Sequence, residues 1–127
     1  MSEYYLRHRG CSPPARVVRL DAVDRELRPG GFDLAVNVHS FSECTLAAIE
    51  WWVGLLRRLE VPRLLVIPNE PDALLSLEPD GSRRDFGPVL ERAGYRLEHR
   101  EPVYDDPAVR ELVGVHDRFH LFAVEGR

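Results

Sequence analysis

The sequence predicts an α/β domain with a mostly parallel sheet, and three observations carry that prediction. Residues 32–39, FDLAVNVH, form a near-continuous apolar run of strand length, as suits a strand covered on both faces. Residues 45–59 place Leu46, Ile49, Trp52, Val53, Leu56 and Leu59 at helical spacing, giving a helix with one apolar face. The run LLVI within VPRLLVIPNE is a second short buried strand, stopped by Pro68. A strand, a helix and a strand in about 35 residues form a βαβ unit, which pairs its strands in parallel through a right-handed crossover.

The remaining elements follow in order. Residues 3–9, EYYLRHR, read as a short helix with Ser2 as cap and Gly10 just past its end, and CSPPA is a loop. ARVVRLDAV has the β-branched character of a strand ending at Asp21, closed by the turn residues of DRELRPGG. Ser40 or Ser42 is the expected cap of the long helix, with Glu43 near the positive end of its dipole. Residues 69–85 read as a surface loop with room for one helical turn near residues 73–77. Asp85 caps a helix over FGPVLERA that Gly94 ends, YRLEHREPV alternates like a strand with one covered face, Asp106 and Pro107 open a short helix, and RFHLFAVE is the last strand.

Residues 1–127 read as a single domain, since 44% hydrophobic residues suffice for a core and no linker or repeat interrupts the chain. Seventeen arginines face 21 acidic residues, a net charge of −4 with no basic footprint, which disfavours nucleic acid. No apolar run approaches the roughly 20 residues of a membrane span, and the N-terminus has no apolar signal core, so the cytoplasm is the default expectation. Cys11 and Cys44 are too few for a disulfide framework. His116 and His120 are four apart but have no evident third ligand, so no metal is expected. There is no lysine or glutamine and there are only two asparagines, the usage of a GC-rich coding sequence, which makes Asn37 and Asn69 worth following.

Both asparagines stand where predicted strands end. In an open parallel sheet, ligands bind outside the carboxyl ends of the strands, the first positions free to carry polar chemistry. Asp21 follows RVVRL, Asn37 and His39 follow FDLAV, and Asn69 and Glu70 follow LLVIP. Helix capping accounts for Ser42 but not for Asn37 and His39. His39 with Glu43 is a candidate general base with its orienting carboxylate, and His116 is a further candidate. Trp51 and Trp52 are expected to pack in the core. No Gly-rich phosphate loop is present, because Gly30 and Gly31 precede a strand instead of following one.

The order of elements resembles the second half of a class I S-adenosylmethionine-dependent methyltransferase. LDAV, with Asp21 and Ala22, is similar to the end of that family's third strand, FDLAVNVHSFSE to its fourth and PRLLVIPNE to its fifth. FGPVLERAGYRLE resembles its following helix and sixth strand, and RFHLFAVE its antiparallel seventh. YYL followed by FDLAVNVHSFSE and a strand ending in Asn resembles, more narrowly, the sugar O-methyltransferases of polysaccharide and antibiotic pathways.

The resemblance implies a Rossmann-like three-layer fold, partial in that the family's first two strands have no counterpart here. It implies S-adenosylmethionine as cofactor, contacted by Asp21, Ala22 and Asn37, and a sugar-like acceptor whose hydroxyl is deprotonated by His39 with Glu43 behind it. Asn69, Glu70 and His116 would hold the acceptor. The missing strands would lie between RVVRL and FDLAV, leaving exposed edges that invite a homo-oligomer, or a partner chain or upstream segment supplying the N-terminal half. The alternative reading is a non-catalytic α/β module that dimerises or completes a partner.

Overall fold

The computed structural model describes residues 2–11 and 15–125, so Ser12, Pro13 and Pro14 of the expected CSPPA loop lie outside the described residues. Helix α1 (Ser2–His8) buries none of its side chains. The segment 15–19 forms no strand and leads into a 3₁₀ turn (Leu20–Ala22) and the single turn α2 (Val23–Glu26). The expected RVVRL strand is therefore not formed. β-Branched residues favour a strand only where a neighbouring strand takes up the backbone hydrogen bonds, and this segment has none. Val18 and Val23 instead pack with Leu55, Leu59 and Val61 in a small second core.

Strand β1 (Ala35–Val38) is followed by a 3₁₀ turn (Ser40–Glu43), helix α3 (Leu46–Arg58) and strand β2 (Arg63–Ile67). The βαβ unit is formed, with β1 and β2 parallel and Val38 opposite Ile67. The cap of α3 is Thr45, whose Oγ1 accepts from the Ala48 N–H at 3.2 Å. Neither Ser40 nor Ser42 can serve, because the intervening 3₁₀ turn delays the helix start.

The long loop after β2 is fastened to the same helix end. Glu78 Oε1 accepts the Leu46 N–H, one of the amides a helix start leaves unpaired, and the hydroxyl of the buried Ser76. Its single-residue bridges, Glu70 to Ala73 and Leu75 to Asp85, replace the expected helical turn.

Helix α4 (Gly87–Arg92) starts where Asp85 Oδ1 accepts the Gly87 N–H at 2.8 Å. Strand β3 (Tyr95–Pro102), helix α5 (Pro107–Val113, capped by Asp106) and strand β4 (Arg118–Val124) complete the chain. The sheet order is β1-β2-β4-β3, and β4 runs against both neighbours, so β1, β2 and β3 all point the same way. The core lies where α3 and α4 meet the sheet. Ile49, Val53, Leu64, Val66, Phe86, Leu90 and Tyr95 are almost fully buried there, and the Tyr95 hydroxyl donates to the Val61 carbonyl. β3 is covered less than its alternation implies: only Tyr95 is buried, and Leu97 is half exposed.

Candidate functional site

Because β1, β2 and β3 are co-directional, their carboxyl ends and the start of β4 share one edge of the sheet. β1 leaves that edge through His39, whose backbone has φ 60° and ψ −30°. A non-glycine residue at positive φ is strained by about 1 kcal/mol or more and persists only where the surroundings enforce it. Here the His39 N–H donates to the Ile67 carbonyl and its own carbonyl accepts from the Ser42 N–H. Asn37 locks the turn further: its Oδ1 accepts the Phe41 N–H and its Nδ2 donates to Ser40 Oγ at 2.7 Å.

The His39 ring meets Asp117, with Nε2 and Oδ2 at 2.9 Å. Asp117 is in the loop before β4, and its carbonyl accepts the Val103 N–H, which ties that loop to the end of β3. β2 lies between β1 and β4, so the contact spans the end of β2. An ionised carboxylate can only accept, so Nε2 carries the ring proton and Nδ1 keeps a free lone pair. With side chains 45% and 26% exposed, the pair is open to a ligand. Such an arrangement can take a proton at Nδ1 while the carboxylate steadies the resulting imidazolium.

Asp117, and not Glu43, therefore stands behind His39, while Glu43 is exposed on the 3₁₀ turn. The only sequence signal for Asp117 is an acid just before a predicted strand, a common feature. Asn69 also reaches this edge; its backbone N–H is held by the buried Ser42 hydroxyl. Glu70 is engaged by Arg83, Oε1 to Nη2 at 2.6 Å, and its Oε2 is buried without a hydrogen bond. His116 is exposed and lines a separate depression beside α5.

The residues expected around a cofactor's nucleotide end do not make a cradle among the described residues. Asp21 is on the 3₁₀ turn, exposed, and held by both Nε and Nη2 of Arg19 at 3.1 and 3.0 Å. Ala22 is buried, and the Asn37 amide is committed to its own turn. Trp51 and Trp52 are not core residues: 43% and 37% exposed, they pack edge to face on each other. Trp52 borders a groove of about 380 Å³ along β1, with Val36, Ser40 and Cys44. A depression of about 640 Å³ lies at the opposite end of the sheet around Asp33, Arg63 and Arg96, and holds none of these residues.

No protein-family model matches the chain, and no curated protein matches it in sequence. Among solved structures, it is similar to an S-adenosylmethionine dependent methyltransferase from Mesorhizobium loti. The TM-score is 0.53 with 16% identity, over 97% of this chain and 77% of that one. The chain thus has a mixed α/β, Rossmann-like fold similar to that methyltransferase's, with an antiparallel last strand inside the sheet. No helix among the described residues is long and apolar enough to cross a membrane.

Proposed function

We propose that this chain contributes the acceptor side of an S-adenosylmethionine-dependent O-methyltransferase, with a hydroxyl of a sugar-like small molecule as acceptor. The observation that carries the reading is the His39–Asp117 pair, held on a strained turn at the ligand edge of a methyltransferase-like sheet. His39 Nδ1 removes the hydroxyl proton as the oxygen attacks, Asp117 keeps the ring in the required tautomer, and Asn69 lies on the same edge to meet the acceptor. S-adenosylmethionine is the methyl donor in this reading. Its nucleotide end has no holder among the described residues, so the reading assigns those contacts to a preceding segment or a second polypeptide.

One further observation supports such a partner and also supports the alternative, a non-catalytic module that completes another chain. β1 is the sheet's edge, and its Val36 and Val38 side chains are 58% and 52% exposed. An edge strand with apolar side chains is a template for pairing with another chain. The deciding experiment is calorimetric titration with S-adenosylhomocysteine, on this chain alone and mixed with the proteins encoded beside it. Heat in the mixture supports the assignment; if neither titration gives heat, the methyltransferase reading fails and the module reading stands.

A further inference from the structure

A second feature lies on the ligand edge, on the β3–β4 side of the His39–Asp117 pair. A depression of about 320 Å³ is walled there by Asp72, Pro102, Arg110, Glu111, His116 and Arg118. Its charges are loosely paired. Asp72 Oδ1 lies 3.4 Å from Arg118 Nε and 3.5 Å from Arg100 Nη1, so one oxygen serves two guanidinium groups at distances beyond the usual 2.7–2.9 Å of a charge-assisted bond. The Arg110 side chain has no hydrogen-bond or ion-pair partner among the described residues.

Within the lining, two guanidinium groups, Arg110 and Arg118, meet two carboxylates, Asp72 and Glu111, and Arg100 reaches Asp72 from outside it. The buried His120 lies beneath them, its Nδ1 3.3 Å from the Arg118 carbonyl. Burial first, and then the charges of Arg100 and Arg118, hold its imidazole below the ordinary histidine value, against the opposing pull of that carbonyl and of Asp72.

The depression and the base are parts of one short segment. His116 and Arg118 wall the depression, and Asp117 between them holds His39.

Building on the acceptor reading above, we infer that this depression receives an anionic group, carboxylate or phosphate, of the molecule whose hydroxyl reaches His39. The acceptor is then a uronic acid or a sugar phosphate and not a neutral sugar. The planar guanidinium fork meets either anion through two parallel hydrogen bonds, and Arg110 and Arg118 have N–H groups to spare.

The test is a calorimetric and NMR titration of the whole chain with glucuronate, glucose 6-phosphate and glucose, with no methyl donor present. At least one anionic sugar is expected to bind while glucose does not, and its binding moves the His120 imidazole resonances. Which anion binds decides between carboxylate and phosphate. Arg110→Ala, on the surface of α5 and remote from the core, and Arg118→Gln are each expected to weaken that binding at least ten-fold with the circular dichroism spectrum unchanged. Glucose binding as tightly as the anions, neither anion binding, or a folded Arg110→Ala protein binding like the parent would overturn the inference. Since no cofactor is involved, a failed S-adenosylhomocysteine titration leaves this result standing, and the reverse also holds.

Discussion

His39 Nε2 and Asp117 Oδ2 lie 2.9 Å apart although 78 residues separate them, and the strand between their own, β2, contributes only its end to the space they bridge. The carboxylate fixes which ring nitrogen holds the proton, and so which one can act as base.

Asp117→Asn tests that relationship. An amide can offer its N–H₂ to Nε2, which moves the ring proton to Nδ1 and removes the base. Turnover by the assembled enzyme is expected to fall by roughly 10²-fold or more, the scale of a lost general base. Long-range ¹⁵N NMR of the imidazole should show the tautomer change. An unchanged tautomer in the variant would dissociate Asp117 from this role.

The backbone at His39 can be separated from its side chain. His39→Ala keeps a Cβ at φ 60°, whereas His39→Gly removes it. Both variants lose the ring, yet the glycine protein is expected to be more stable than the alanine protein by about 1 kcal/mol in urea denaturation. Equal midpoints would mean that the turn carries no such strain.

Thr45 is the cap of α3, so Thr45→Ala should cost about 1 kcal/mol. Ser40→Ala loses only an exposed hydroxyl bonded to Asn37 and should cost less. Chemical denaturation of the two variants orders them, and the reverse order would contradict the assignment of the cap.

Acid should weaken the fold in two stages. His120 is held below 6.5, chiefly by burial, so the unfolded chain takes up its proton first and stability falls as pH drops through about 6.5. Glu78 is held below 4.5 by the Ser76 hydroxyl and the Leu46 amide, so its contribution is present above 4.5 and is lost as pH drops below it. Thermal melts at pH 7.5, 5.5 and 4 should show a falling midpoint, and His120→Gln should remove the upper stage. A midpoint that does not move between pH 7.5 and 5.5 would exclude His120 from this role.

The elements legible in the sequence were those with a local cause. The apolar face of residues 45–59, the β-rich LLVI and the Asp106–Pro107 start each express a preference that acts within one or two turns of chain. Asn37 and His39 were legible as strand-end residues because an apolar run stops at them. Asp117 was not, since its meaning comes from a loop that Val103 anchors beside a histidine far off in sequence.

RVVRL was misread for a related reason, because strand propensity is realised only by a neighbour. Asn37 shows a different ambiguity: at a strand end, an amide that braces its own turn and one that waits for a ligand have the same sequence signature.

The position of β4 bears on how the molecule comes into being. It comes after the other three strands in sequence, yet it lies between β2 and β3, which make no ladder with each other. Until β4 docks, the first three strands cannot join into one sheet, and Asp117 has no fixed place from which to meet His39. Sheet closure and assembly of the histidine pair are therefore a single event, the docking of β4, and a chain without Arg118–Val124 would achieve neither.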